Sequence, residues 1–181
     1  MTLHTFAIHV DDTPGVLNRV ASLFRRRNFN IHSLTVGHSE VQGVSRITAV
    51  VETDDNGAQR VQAHLYRIVN VLRVENITHR PSILRELALI KVAADQTTRS
   101  ALLQLAQVFE ARIIDVAPGS LVLEMCGSEQ RIDGLLDVLQ PYGVIEMARS
   151  GRIAMERGSS AEAVARDERP EAVEDGVSYS V

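Results

Sequence analysis

Apolar and polar positions alternate along the chain with two different periods, and each period predicts one kind of secondary structure. Alternation with a period of two predicts strands, whereas apolar residues three or four positions apart predict one buried face of a helix. In the first half of the chain the order predicted is strand, helix, strand, strand, helix, strand. These six elements are Leu3–Val10, 14–27, 31–38, Ser45–Thr53, Ala58–Val69 and Val71–His79.

The same order is predicted a second time in the second half of the chain. Its elements are Arg85–Ala94, Thr97–Phe109, Ala111–Val116, Ser120–Cys126, Glu129–Leu139 and Val144–Ser150. Pro81 resists both helix and sheet, which makes 80–84 the predicted linker between domains over 1–79 and 85–158. The predicted fold class is therefore α+β, with two consecutive ferredoxin-like β-α-β-β-α-β domains. Each domain is expected to form an antiparallel four-stranded sheet with both helices on one face.

The last residues of the chain differ in character from both predicted domains. From Arg157 onward there are three Arg residues against six Asp and Glu residues, with few large apolar side chains. Such a segment buries too little apolar surface to offset the entropy of ordering it. We therefore expect 159–181 to be a mobile acidic tail.

Composition narrows the class of protein. The 181 residues are 45% hydrophobic with a formal net charge of −4, which fits globular domains and gives no strong attraction to nucleic acid or anionic membranes. No apolar run approaches the roughly 20 residues that a membrane-spanning helix needs. A single cysteine, Cys126, excludes an intrachain disulfide and favours the cytoplasm. It lies in an apolar run and is expected to be buried.

Residues 11–36 carry the strongest local signals in the chain. Asp12 or Thr13 is expected to cap the first helix, and Pro14 suits its first position because no backbone donor is needed there. Asn28 is expected to end this helix in the left-handed conformation. The apolar face of the helix is expected to contain Val16, Leu17, Val20, Leu23 and Phe24.

The start of this helix is a candidate site for a small ligand. Free amides there are partly positive, and Gly15 leaves the backbone accessible to an anion such as a carboxylate. Asp11 and Asp12 offer carboxylates to an ammonium group, and Asn30 is expected to return near the same end of the first strand. A free amino acid requires both kinds of contact. An ordinary capped turn is the alternative interpretation of the same residues.

The sequence gives little support for catalysis, phosphate binding, metal binding or RNA binding. The chain shows no catalytic motif and no phosphate-binding loop, and its six histidines are scattered without metal-ligand spacing. The order of elements is shared with proteins that bind single-stranded RNA by stacking bases on aromatic side chains. The predicted central strands, TFAIHVD and ITAVVET, contain one aromatic residue, so that interpretation fails.

The run PGVLNRVASLFRRRNFNIHSLTV, followed by SRITAVV, strongly resembles the regulatory (small) subunits of acetolactate synthase, also called acetohydroxyacid synthase. The segments VNVLRVENIT, RELALIKV and RIIDVAPGSLVLEMCGSEQRIDGLLDVLQPYGVIEMARSGRIAMERG continue the resemblance, which covers about 3–158. The first half looks like an ACT domain, a small module that binds amino acids, and the second half is ACT-like. Asn28 stands where the family would have Gly, and Asn tolerates the left-handed conformation.

The resemblance implies a non-catalytic protein of branched-chain amino acid biosynthesis. It would activate a separate catalytic subunit, which would carry thiamine diphosphate, Mg²⁺ and FAD, whereas this chain would hold no cofactor or metal. It would also confer feedback inhibition by a branched-chain amino acid, usually valine. The implied contacts are the effector carboxylate with the amides of Gly15, Val16 and Leu17, and the ammonium with Asp12, Asn30 or a carbonyl near Ile31.

The sequence also bears on the oligomeric state of the chain and on the identity of its effector. The strand over 31–38 is expected at a sheet edge, which favours a homodimer through the ACT domain. The resemblance implies that the effector binds between the two chains. The sequence does not select among valine, leucine and isoleucine, because one methylene changes binding by only about 1–3 kcal/mol. A free-standing ACT-type sensor and a small enzyme on the same fold are the alternatives.

Overall fold

The computed structural model describes residues 1–158, and the predicted tail over 159–181 lies outside these residues. The first domain forms an antiparallel sheet in the order β2-β3-β1-β4, which confirms the predicted ferredoxin-like arrangement. Its elements are β1 (Thr2–Asp11), α1 (Val16–Arg26), β2 (Ile31–His38), β3 (Val44–Thr53), α2 (Asp55–Leu65) and β4 (Val71–Asn76).

The core of the first domain lies between this sheet and its two helices. Alternate residues of β1 point into it, and Phe6 and Ile8 are fully buried, as the period of two predicts. From α1 the buried residues are Val16, Val20, Leu23 and Phe24. Leu17, predicted on this face, is instead 44% exposed, because it lies at the edge of the apolar stripe.

Both helices of the first domain begin at different residues from those predicted. The N-cap of α1 is Gly15, with φ of 86° and no side-chain cap, so the predicted capping by Asp12 or Thr13 is wrong. Helix α2 begins at Asp55 because the Asp54 carboxylate accepts a hydrogen bond of 2.6 Å from the Gly57 amide. The predicted left-handed Asn28 is confirmed, with φ of 56°.

The second domain repeats the architecture with one addition. Its sheet has the order β6-β7-β5-β8, and a ninth strand pairs with β5. A short 3₁₀ helix, Gln140–Tyr142, follows α4. The elements are β5 (Ser82–Ala93), α3 (Arg99–Phe109), β6 (Arg112–Ala117), β7 (Ser120–Gly127), α4 (Glu129–Leu139), β8 (Val144–Arg149) and β9 (Ile153–Glu156).

Strand β9 corrects two expectations. The second sheet has five strands instead of four, since β9 pairs antiparallel with the first residues of β5, Ser82↔Glu156 to Arg85↔Ile153. This pairing makes β5 longer than predicted, so 82–84 of the predicted linker belong to a strand. Strands β8 and β9 run in the same direction along β5, and the ladder is interrupted between them near Gly151, which has φ of 81°.

The two domains contact each other through a small third core and through polar groups. Ala154 of β9 is buried against Ala7 of β1 and Ile77, and Leu84 packs beside them. Cys126 is exposed, in contrast to the expected burial, because Leu121, Leu123 and Met125 are the residues of β7 that face the core. Within residues 1–158, no helix is both long enough and apolar enough to span a bilayer.

Candidate functional site

The turn between β1 and α1 is open at the point where sequence predicts contact with a carboxylate. Gly15 is left-handed, and a Cβ built on it meets nothing within 4 Å. Within residues 1–158 the amides of Gly15 and Leu17 have no hydrogen-bond acceptor, and Val16 N–H makes only a long contact of 3.4 Å to Thr13 O. Three consecutive amides near a helix start, with space in front of them, suit a small anion.

The predicted ammonium contact, Asp12, is fixed from two sides. Its amide donates to Gly43 O at 2.8 Å, and its Oδ1 accepts from the Ser45 hydroxyl at 3.1 Å. The other carboxylate oxygen lies 3.3 Å from His38 Nδ1. The side chain of Asp12 is 46% exposed, so it is oriented and still accessible to a ligand.

Asp11 and Asp12, although neighbours in sequence, contact different parts of the first domain. The Asp11 carboxylate accepts from the Asn70 amide group at 3.1 Å, and the Asp11 backbone N–H donates to Asn70 O at 2.9 Å. Asp11 therefore connects β1 to the segment before β4, and Asp12 lies on the side of β2 and β3. The sequence did not predict the contacts with Ser45, His38 and Asn70. These contacts depend on the register of the strands, which no local sequence pattern shows.

Strand register separates Asn30 and Ile31 from this turn within one chain. Asp11 pairs with Val44 and His38 pairs with Ser45, so the Gly15 turn lies at one end of the sheet. Ile31 pairs with Val51, which in turn pairs with His4 near the start of β1. The seven steps from 31 to 38 span about 23 Å at about 3.3 Å per residue.

The expectation that Asn30 returns near Gly15 is therefore wrong for a single chain. The physical reason is that α1 carries the chain back to the starting end of β1 before β2 begins. Asn30 is exposed, and its carbonyl accepts a hydrogen bond of 3.4 Å from Glu52 N–H. One chain brings together Asp12, Gly15, Val16 and Leu17, and leaves Asn30 and Ile31 at the far end of β2.

Two exposed apolar side chains flank the open turn. Leu17 follows Gly15 in the first turn of α1, and Val36 lies two residues before His38 on β2; each is 44% exposed. An aliphatic group bound beside the Gly15 amides would remove such surface from water, worth about 25 cal/mol per Å². The turn therefore combines backbone amides suited to an anion, an oriented carboxylate and exposed apolar side chains.

A polar network connects β2 to the second domain. Arg152, between β8 and β9, donates from Nη1 to Thr5 Oγ1 at 3.0 Å and from Nη2 to Glu129 Oε2. Glu129 Oε1 lies 3.2 Å from His32 Nε2. Burial alone would raise the pKa of Glu129, but the hydrogen bonds with Arg152 and His32 outweigh it and lower that pKa. The network ties α4 of the second domain to β1 and β2 of the first.

Two family models match the chain, one for each domain. The family described as "AHAS small subunit-like ACT domain" matches residues 6–73, and the family described as "Small subunit of acetolactate synthase" matches residues 85–158. The two matches together cover most of the described residues.

Individual small subunits of acetolactate synthase are also similar to this chain in sequence and structure. The acetolactate synthase small subunit of Mycolicibacterium smegmatis is 43% identical over 155 residues, which cover 86% of this chain and 91% of that protein. A probable acetolactate synthase small subunit of Archaeoglobus fulgidus is 44% identical over 156 residues, 86% of this chain and 98% of that one. The crystal structure of the Thermotoga maritima small subunit superposes with a TM-score of 0.82 at 34% identity, covering 88% of this chain and 99% of that chain. The chain belongs to the acetolactate synthase small (regulatory) subunit family and carries the ACT domain of that family in its N-terminal half.

Proposed function

We propose that this chain is the non-catalytic regulatory subunit of an acetolactate synthase, which activates the catalytic subunit and inhibits it when a branched-chain amino acid binds. The observation that carries the effector site is the open left-handed Gly15, whose own amide and that of Leu17 lack an acceptor among residues 1–158, while the Val16 amide makes only a long contact. In this proposal thiamine diphosphate, Mg²⁺ and FAD belong to the catalytic subunit, and the complex acts in the cytoplasm.

The proposed effector is valine or another branched-chain amino acid. Its carboxylate accepts hydrogen bonds from the amides of Gly15, Val16 and Leu17. Its ammonium group meets the Asp12 carboxylate, which Ser45 and His38 already orient. Its branched side chain lies on Leu17 and Val36, whose exposure favours an aliphatic group over a polar one.

A second copy of the chain supplies the remaining site residues in this proposal. Strand β2 is at the edge of its sheet, and among residues 1–158 no strand pairs with its outer side. If two β2 edges pair antiparallel about a twofold axis, the start of one strand lies beside the end of the other. Asn30 and Ile31 of the second copy then come to the Gly15 turn, although they lie far from it in their own chain.

The effector site is tested with Gly15→Asp, which places a side chain and a negative charge where the carboxylate binds. We expect this variant to activate the reconstituted catalytic subunit and to lose both valine inhibition and valine binding by calorimetry. Gly158→Asp is the matched control, because Gly158 is also left-handed, with φ of 92°, and a Cβ on it also meets nothing within 4 Å. Full inhibition of the Gly15→Asp holoenzyme would refute the site.

The contribution of the second copy is tested by mixing two variants that are each expected to lose valine binding. Gly15→Asp and Asn30→Ala each affect both sites of a homodimer. In a mixed dimer of one chain of each, one site holds both substitutions and the other holds neither. Recovery of about half the valine-binding sites in the mixed dimer supports the two-chain site. No recovery, with mixed dimers present by native mass spectrometry, refutes it.

Activation itself is tested by reconstitution with the catalytic subunit. We expect the chain to raise the turnover of pyruvate by that subunit and to show no turnover alone. Valine binding without any activation would contradict the proposal and favour a free-standing ACT-type sensor.

A further inference from the structure

Three side chains from distant parts of the sequence converge at the end of the first sheet where β1 begins. His4 lies on β1 and is fully buried, whereas Asp55 begins α2 and His79 follows β4. The Nε2 atoms of His4 and His79 each lie 3.6 Å from the same oxygen, Asp55 Oδ1. The three ligand atoms are all within 4.8 Å of one another. The site is remote from the Gly15 turn, which lies at the other end of β1.

Hydroxyl groups on both sides of the His4 ring bear on which nitrogen carries the proton. The Thr78 hydroxyl donates to Asn76 Oδ1 and accepts from Thr5 N–H at 3.0 Å, so it is an acceptor toward His4 Nδ1, 3.4 Å away. His4 Nδ1 therefore carries the proton. Nε2 faces Asp55 and also lies 3.1 Å from the Thr2 hydroxyl, a contact that a metal ion bound at Nε2 would replace. A ring N–H fixed in this way is the usual outer contact of a metal-binding histidine.

The position of Asp55 is equally restricted. The Asp54 carboxylate caps α2 by accepting from Gly57 N–H at 2.6 Å, and a Cβ on Gly57 would lie 1.9 Å from Thr53 Oγ1. The first turn of α2 is thus packed against the end of β3, which fixes the backbone that carries Asp55. The side chains of Asp55 and His79 are 81% and 77% exposed, so an ion in solution reaches them directly.

We propose that His4, Asp55 and His79 form a binding site for a divalent transition-metal ion of the Zn²⁺ class. Two imidazoles and one carboxylate are ligands that suit Zn²⁺, Co²⁺ and Ni²⁺ and leave one position for water. Bonds of about 2.0–2.1 Å at a tetrahedral angle place neighbouring ligand atoms about 3.3 Å apart, close to the two distances of 3.6 Å. Small side-chain rotations of the exposed Asp55 and His79 complete the geometry.

Such an ion would fix the connection between the two domains. His79 lies between β4 of the first domain and β5 of the second, whereas His4 and Asp55 belong to the first domain. Binding the ion would hold the segment after β4 against β1 and α2. The occupied chain is therefore expected to be more stable than the empty chain, in proportion to the logarithm of metal concentration.

The test is calorimetric titration of the full, untagged chain with ZnCl₂ after removal of metal by chelation. We expect one saturable site at micromolar Zn²⁺, and a visible absorption band of tetrahedral Co²⁺ when CoCl₂ is used instead. His79→Ala and Asp55→Asn change exposed side chains, so folding is retained, and each should weaken Zn²⁺ binding at least tenfold. That factor is the lower limit seen even for outer-shell partners, about 10–100-fold.

The matched control is His38→Ala. His38 is also exposed and lies 3.3 Å from a carboxylate, Asp12, but it has no second imidazole beside it. The control should bind Zn²⁺ like the original chain and show the same rise in melting temperature with added Zn²⁺, which His79→Ala should not show. Absence of saturable binding in the original chain, or equal affinity in His79→Ala and His38→Ala, would overturn the proposal.

Discussion

Removing the Arg152 side chain should weaken the junction between the two domains more than a surface ion pair would. Arg152 donates to Thr5 Oγ1 of β1 at 3.0 Å and to Glu129 at the start of α4. Its side chain is 17% exposed and that of Glu129 is 31% exposed, so the contact is partly shielded from water. Arg152→Ala also leaves the hydroxyl of the buried Thr5 without this donor.

The magnitude follows from these contacts. A hydrogen bond to a charged group contributes about 1.5–3 kcal/mol, and the partial exposure of Glu129 lowers the value toward the bottom of that range. Together with the lost contact to Thr5, we expect Arg152→Ala to lower the free energy of unfolding by about 2 kcal/mol. For a chain of this size that corresponds to a fall in melting temperature of about 4–8 °C.

A double-mutant cycle with Glu129→Gln isolates the pair from other effects of each substitution. Unfolding in urea at one fixed chain concentration should give a coupling energy of about 1 kcal/mol between the two positions. Arg112→Ala is the control, since Arg112 pairs with Glu124 inside the second domain and is 79% exposed. Its cost should stay below about 1 kcal/mol. Equal costs for Arg152→Ala and Arg112→Ala, with no coupling to Glu129, would refute the reasoning.

The ion pair between Arg152 and Glu129 also predicts how the stability of the chain changes with pH. The folded chain lowers the pKa of Glu129 below its ordinary value of 4.5. The ionised Glu129 carboxylate therefore contributes its full stabilisation of the folded chain above pH 4.5. This stabilisation is lost as the pH falls through the lowered pKa. The stability difference between the original chain and Glu129→Gln should accordingly be constant near neutral pH and shrink in acid.

Three further predictions concern local packing and capping. Gly57→Ala should destabilise the chain by about 1–3 kcal/mol in urea unfolding, because its Cβ would lie 1.9 Å from Thr53 Oγ1. Gly134→Ala, within α4, should stabilise it by about 0.5–1 kcal/mol, because its Cβ would make an ordinary contact of 3.6 Å with Phe109. Hydrogen bonds from residues 97 and 98 lower the pKa of Asp95 to about 2. The stability lost in Asp95→Ala should therefore be constant above pH 4 and vanish on acidification toward pH 2. Acid unfolding curves of the two chains measure this difference.

Local patterns predicted most of the fold because they report which face of an element is buried. The alternation in β1 and the helical spacing in α1 identified Phe6 and Phe24, both fully buried. The start of α1 was predicted wrongly because the Pro14-Gly15 turn delays the helix by two residues, from the predicted Pro14 to Val16. Gly15 takes a left-handed conformation that no side-chain cap accompanies.

Other features that local patterns missed depend on pairing between distant residues. Strand β9 has only four residues, and its partner lies about 70 positions earlier in β5. The position of Asn30 relative to Gly15 depends on the register of three strands. His4 and His79 are separated by the whole first domain, so no spacing motif reveals that they face the same carboxylate.

Strand β2 takes part in two junctions, and this double role connects the proposed effector site to the second domain. Its outer backbone edge is where a second copy is proposed to pair, and its side chains contact the segment that joins β8 to β9. Thr35 Oγ1 donates to Ser150 O at 3.2 Å, and Arg152 N–H donates to Ser33 Oγ at 3.4 Å. A Cβ on Gly151 would lie 3.0 Å from Thr35 Oγ1, so the two segments are closely packed.

Close packing on one face of β2 means that its edge cannot shift without moving the segment over 150–152. An effector that changes how two β2 edges pair would therefore also change the position of Arg152, and through Arg152 that of Glu129 at the start of α4. No contact between the effector and the second domain is needed for this coupling. Coupling energies between such sites are typically about 1–3 kcal/mol, comparable to the about 2 kcal/mol expected for the Arg152 contacts alone. A perturbation of that one network is thus large enough to account for the proposed regulation from the Gly15 turn.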